Sequence, residues 1–234
     1  MLMALFVLVH SPSVGPSTWK PVAGYLREAG HQAMVPSLLG VGEGGPPFWP
    51  RVAAAVHDGL GGAGSSGPVV LVAHSNAGLF VPVITSNIGR PVACSIFADA
   101  SIPPAAGTTP VAEAEFLPFL RGLVEADGRL PRWTDWWGKA DVAPMLPDQS
   151  LREVITAEQP RLPLDYYLDQ IPVPAGWDDR LCGYLLFSEG YEAQAEQARR
   201  RGWPVREVAG EHLHQVVDPA AVANVLLDLS VQPA

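Results

Sequence analysis

The run Val69-Val70-Leu71-Val72-Ala73-His74-Ser75-Asn76-Ala77-Gly78 decides how the chain is read. Residues 69–73 are all apolar, too short a stretch for a buried helix and without the alternation of a half-exposed strand. They read as a strand buried on both faces of a parallel sheet. A helical pattern follows over 76–88, despite Pro82. Between strand and helix stands Ser75, with Ala73 and Ala77 two residues away on either side. A chain turning this sharply has room only for small side chains at those flanking positions, and the turn presents the serine hydroxyl at a helix N-terminus. Ser75 reads as a nucleophile or ligand-facing hydroxyl; the plainer alternative is a serine that caps the helix.

Outward from this run, short apolar stretches alternate with helical patterns, the mark of a mostly parallel α/β sheet with crossover helices. Strands are expected at 5–9, 32–35, 69–73, 92–98, 183–187 and 205–208, and helices at 19–28, 50–60, 76–88, 192–201 and 219–229. A Gly/Ser-rich loop is expected at 59–67. Residues 103–179 break the alternation with prolines, helical patterns at 113–125 and 148–158, and three tryptophans in Arg132-Trp133-Thr134-Asp135-Trp136-Trp137. An interruption this long exceeds an ordinary connection. It reads as a helical lid (103–179) inserted into a core formed by 1–102 and 180–234.

Composition bounds the partners. The chain has 234 residues, 48% of them hydrophobic and 17% charged, with a net charge of −9 and a mean hydropathy of +0.15. The charged share lies below the roughly 25% of an average soluble chain, and the hydrophobic share excludes disorder. An acidic balance with few basic clusters, Arg199 to Arg201 reading as a solvated helix end, argues against nucleic acid and anionic membranes. No apolar stretch reaches the roughly 18 residues of a membrane span. The N-terminal run 2–9 lacks the basic start and cleavage site of a signal peptide. Cys94 and Cys182 are too few for a disulfide scaffold and read as buried thiols. The expectation is a soluble cytoplasmic protein acting on a small apolar molecule; a homodimer is left open.

Phe6-Val7-Leu8-Val9-His10, Trp19 in the following helix and Ala73 to Gly78 together resemble the α/β-hydrolase superfamily, in the compact esterase and hydroxynitrile-lyase branch. The resemblance covers nearly the whole chain and implies a lid in the place where 103–179 falls. A serine hydroxyl needs a base to take its proton, and Val208-Ala209-Gly210-Glu211-His212-Leu213-His214 resembles the family's histidine loop. His212 follows the Gly-acid pair as the family's base does and is preferred to His214. The family's acid usually follows the fifth strand, where Tyr191 stands here. Asp99, at the end of the preceding strand, is the favoured acid, with Glu189 or Glu192 as alternatives and a strand-end cap as the plain reading of Asp99.

The oxyanion hole is expected to take one backbone N–H from Asn76 and one from the loop after the first strand. That loop reads His10-Ser11-Pro12-Ser13, and Pro12 has no N–H where the family's donor stands. Either the backbone of Ser13 or the hydroxyl of Ser11 substitutes, or no ordinary oxyanion is stabilised. Trp133 and Trp136 read as lid core or as an aromatic wall of the substrate pocket. Gly40-Val41-Gly42-Glu43-Gly44-Gly45 fits a phosphate-loop pattern, but Pro46, Pro47 and Pro50 deny it the immediate helix such a loop needs. No cofactor and no metal are expected, since His212 and His214 have no companion ligand cluster.

The leading reading is a serine hydrolase of a small or medium apolar ester or thioester, with Ser75, His212 and Asp99 as its triad. The alternatives are a lyase or cyclisation catalyst that uses Ser75 and His212 for proton transfer, and a non-catalytic ligand-binding protein on the same fold.

Overall fold

Runs such as Leu5 to Val9 and Val69 to Ala73 offer no polar face, so their strands are stable only with helices on both sides. The computed structural model describes residues 3–61 and 67–231. Its strands are β1 (Leu5–Val9), β2 (Gln32–Met34), β3 (Val69–Ser75), β4 (Val92–Ala100), β5 (Gly107–Pro110), β6 (Gln170–Val173), β7 (Leu181–Leu186) and β8 (Val205–Glu207). Six of them form a parallel sheet in the order β2-β1-β3-β4-β7-β8, so β3, which carries Ser75, lies inside the sheet. Of the loop expected at 59–67, residues 62–66 lie outside the described residues.

The helices are α1 (Lys20–Glu28), α2 (Trp49–Leu60), α3 (Val81–Asn87), α4 (Leu117–Leu123), α5 (Lys139–Met145), α6 (Gln149–Glu158), α7 (Leu164–Leu168), α8 (Glu192–Arg200), α9 (His214–Val217) and α10 (Pro219–Leu229). Alternate strand residues feed the two faces of the sheet. Phe6, Leu8, Val70, Val72 and Ile96 pack with Val22 and Leu26 of α1 and Val222 and Leu226 of α10. Val7, Val9, Leu71 and Phe97 pack on the opposite side with Val52 and Val56 of α2, Ile84 of α3 and Ala195 of α8.

Two expected helices are shorter than their patterns. The helix expected at 76–88 is a 3-10 segment, Asn76–Phe80, followed by α3, in which Pro82 lies within the first turn. Proline has no N–H to donate, and a helix start is the one place where none is required. Pro118 likewise lies in the first turn of α4, which begins at Leu117 instead of residue 113.

Segment 103–179 leaves after β4 and returns before β7. Its two ends are joined by the antiparallel ribbon of β5 and β6, with Gly107 opposite Val173 and Pro110 opposite Gln170. It then docks on the core through side chains. The Glu158 carboxylate accepts the Ser17 N–H at 2.8 Å, and Asp169 accepts the Phe48 N–H at 2.6 Å. Among the described residues no helix is long and apolar enough to cross a membrane.

Candidate active site

The turn at the end of β3 sets the site. Ser75 has φ 58° and ψ −131°, a left-handed φ that a non-glycine residue holds at a cost of about 1–3 kcal/mol. Tight packing on both sides imposes it: Ala73 and Ala77 are fully buried. At Gly78 a Cβ would stand 2.1 Å from the Ser101 carbonyl oxygen, so only glycine fits there.

His212 comes from the loop between β8 and α9, and Asp99 from β4. Asp99 accepts four hydrogen bonds: from His212 Nδ1 at 2.8 Å, the N–H groups of Phe187 and Ser188 at 2.9 and 3.0 Å, and the Ser188 hydroxyl at 2.6 Å. Burial works to raise the pKa of this fully buried acid and is its largest single influence. The hydrogen bond and electrostatic pull of His212, with the hydrogen bonds of Ser188, outweigh it and hold the carboxyl below the ordinary carboxylate range. An ionised carboxylate only accepts, so the His212 proton sits on Nδ1. Nε2 is then bare, and it lies 2.9 Å from Ser75 Oγ, positioned to accept that hydroxyl proton.

The His212 ring is enclosed by other rings. Tyr191 stacks parallel to it at 4.8 Å with an interplanar angle of 2°, and Trp133 lies 6.0 Å away. The His74 ring is 4.6 Å away, and its Nε2–H donates to the His212 carbonyl at 2.8 Å. Burial, reinforced by the proximity of His212, pulls the His74 pKa down to about 3, so His74 stays neutral at ordinary pH. A second neutral histidine fixes the loop opposite the serine: His10 Nδ1–H donates to the Ser11 carbonyl at 2.8 Å, and its Nε2 accepts the Leu38 N–H at 3.0 Å. Burial brings the His10 pKa down to about 4.

A cavity of about 470 Å³ opens in front of Ser75. Ser11, Ser13, Asn76, Trp133, Trp136 and Tyr191 all line it, and among the described residues its walls carry the acids Glu113 and Asp141 but no lysine or arginine. The backbone N–H of Asn76 opens the 3-10 segment, where no earlier turn supplies an acceptor. The Asn76 side chain is clamped by segment 103–179, donating to the Val111 carbonyl at 2.9 Å and accepting from the Tyr166 hydroxyl at 2.5 Å. The Ser13 N–H donates to Ser11 Oγ at 3.3 Å, and Ser13 Oγ pairs with the Tyr167 hydroxyl at 2.9 Å.

The residues weighed as alternatives lie apart from this arrangement. Glu192 pairs with Arg199 at 2.7 Å on the surface of α8, and Glu189 is exposed. His214 opens α9 with its ring 6.1 Å from that of Phe187. Residues 40–45 form turns with no helix before α2. Cys94 and Cys182 are buried free thiols. Among the described residues no group of His, Cys, Asp and Glu could hold a metal ion. Sequence reasoning assigned nothing to His74, Ser188, Tyr166 or Tyr167, and noted Tyr191 only as standing where an acid was expected. His74, inside the decisive run, carried the one local signal: a histidine directly before the elbow serine.

The profile of the alpha/beta hydrolase family matches residues 6–225. The carbendazim hydrolyzing esterase of Nocardioides sp. (strain SG-4G) is 32% identical over 105 residues, a match covering 43% of this chain and 43% of that protein, so the chain spans less than half of this relative. Among solved structures, an extracellular alpha/beta-hydrolase from a Paenibacillus species, with structural and functional homology to tobacco salicylic acid binding protein 2, superimposes with a TM-score of 0.75 at 16% identity over 97% of this chain and 98% of that one. Polyneuridine aldehyde esterase gives 0.69 at 17% identity over 98% and 100%. At these identities the structural likeness speaks for the fold.

Proposed function

Because the chain belongs to the alpha/beta hydrolase family, we propose that it is a serine hydrolase that cleaves a small or medium, apolar, uncharged ester or a related acyl compound. One observation carries the reading: Ser75 Oγ, His212 and Asp99 stand in a hydrogen-bonded series of 2.9 and 2.8 Å, with Ser75 and His212 lining the cavity and Asp99 buried behind them. In this reading Ser75 Oγ attacks the acyl carbon as its proton passes to His212 Nε2. The carbonyl π pair moves onto oxygen, and the Asn76 N–H stabilises that charge. The oxyanion collapses, the bond to the leaving alcohol breaks and His212 gives that oxygen the proton. Water then attacks the acyl carbon as His212 takes its proton. His212 passes this proton to Ser75 Oγ as the acyl–Oγ bond breaks and the acid leaves, while Asp99 stabilises the imidazolium at each stage.

Segment 103–179 acts as the lid, with Trp133 and Trp136 as an apolar wall. A wall without lysine or arginine supports an uncharged substrate over an anionic one. The relative that hydrolyses carbendazim makes an aryl-linked ester or carbamate a first choice for screening. The buried free thiols are consistent with a reducing compartment such as the cytoplasm.

Turnover of p-nitrophenyl butyrate tests the proposal. The unaltered protein releases p-nitrophenol, and Ser75→Ala and His212→Ala each lose at least about 10³-fold in kcat. Turnover that survives both substitutions overturns it. One observation favours a second reading, a lyase using Ser75 and His212 only for proton transfer: Pro12 removes a backbone donor that hydrolysis uses. Products formed without incorporation of water would select that reading.

A further inference from the structure

The loop after β1 cannot offer the backbone donor its position calls for, because Pro12 has no N–H and the Ser13 N–H is directed to Ser11 Oγ. Beside Ser75 the structure places a group with a proton to give. Tyr191 closes the 3-10 turn Glu189–Tyr191 after β7, and its hydroxyl lies 3.4 Å from Ser75 Oγ. The direction of that contact follows from the rest of the site. Ser75 has one proton, and it is directed to His212 Nε2, so Oγ can only accept from the phenol.

The geometry points to Tyr191 as a catalytic residue: its O–H donates to the negative charge that develops on Ser75 Oγ and on the tetrahedral oxyanion, replacing the donor missing at Pro12. This rests on the hydrolase reading above. In the step, the Oγ–C bond forms, the Oγ proton moves to His212 Nε2 and the carbonyl π pair moves to oxygen. Tyr191 keeps its own proton and changes only its acceptor. The free-enzyme contact is long for O–H···O, and catalytic contacts of this kind tighten in the adduct. In the adduct the oxyanion and Oγ are bonded to the same carbon, so a donor beside Oγ stands next to the oxyanion as well.

Two further features fit the assignment. Burial pushes the phenol pKa up to about 12, so the donor stays protonated throughout the working pH range. The parallel stack holds Tyr191 and His212 as one unit, with the π face of the phenol presented to the imidazolium that forms during attack. The position is free for this role because Asp99 reaches the same loop from β4 and binds it through Phe187 and Ser188.

Tyr191→Phe removes the hydroxyl and keeps the stacked ring. Losing one such donor costs about 100- to 1000-fold in rate, so kcat falls by that factor while KM changes less than about threefold. The affinity for an aryl trifluoromethyl ketone, which forms an oxyanion on Ser75, falls in the same proportion as kcat/KM. A merely structural tyrosine would not move that affinity in step with rate. If Tyr191→Phe keeps kcat within about threefold while Ser11→Ala loses 100-fold or more, the second donor is Ser11 and the assignment to Tyr191 is overturned. That result leaves the hydrolase reading standing, since the reading falls only if Ser75→Ala and His212→Ala retain turnover.

Discussion

Asp99, the acid of the proposed triad, stands in an unusual place, held in a left-handed backbone conformation with φ 44° at the end of β4. Its carboxylate joins three things: the imidazole, the loop after β7, and the ionised state its donors enforce. Asp99→Asn puts an amide where Nδ1–H must find an acceptor and favours the wrong imidazole tautomer, so kcat falls about 10⁴-fold. Glu192→Gln alters only an exposed pair with Arg199 and leaves kcat within about twofold. Steady-state kinetics of the two variants on one ester check this, and equal effects would remove Asp99 from its role. That Ser75, Asp99 and His212 come together was legible in the sequence because each ends or follows a strand, where order along the chain limits the choice. The partnership of Tyr191 and His74 with His212 was not, because it depends on ring faces contributed by three segments far apart in the chain: a strand end, a 3-10 turn and a loop.

At the level of elements, the six-stranded sheet was readable almost to the residue, since an apolar run bounded by turn residues admits few readings. The differences lie at element ends. β3 and β4 run on through Ser75 and Ala100, into the polar residues of the site, and β7 begins at Leu181. There, pairing with neighbouring strands prolongs a strand beyond its apolar run. The ribbon of β5 and β6 escaped notice for a different reason. Gly107–Pro110 and Gln170–Val173 are short, contain proline and are far apart in the chain, so neither carries a periodic signal and only their mutual pairing makes them strands. Helix starts in the segment were shifted by Pro118, whose requirement for a first-turn position outweighed the apolar periodicity upstream.

For the whole molecule, the buried titratable groups around the site make stability depend on pH. His10 and His74 have folded pKa values of about 4 and about 3 against an ordinary 6.5. Below pH 6.5 the unfolded chain therefore binds protons that the folded protein refuses, and stability falls with falling pH until those folded values are reached. Asp99 adds a second loss: its stabilisation is complete above the ordinary carboxylate pKa of about 4 and fades as pH drops through its lower folded value. Urea midpoints should thus decline from about pH 6.5 downward. His10→Asn, which removes one of the two histidines, should flatten the upper part of that decline; an unchanged slope would mean that His10 is not held neutral.

The strained Ser75, His212 and the tryptophans Trp133 and Trp136 of segment 103–179 line one cavity, and in the proposed function Ser75 is an activated nucleophile. Intact-mass spectrometry after incubation with a fluorophosphonate tests this most directly. The account predicts a single covalent adduct, mapped to the peptide bearing Ser75, absent in Ser75→Ala and formed at least about 100-fold more slowly in His212→Ala. An unaltered protein that stays unlabelled, or an adduct that persists in Ser75→Ala, would contradict it.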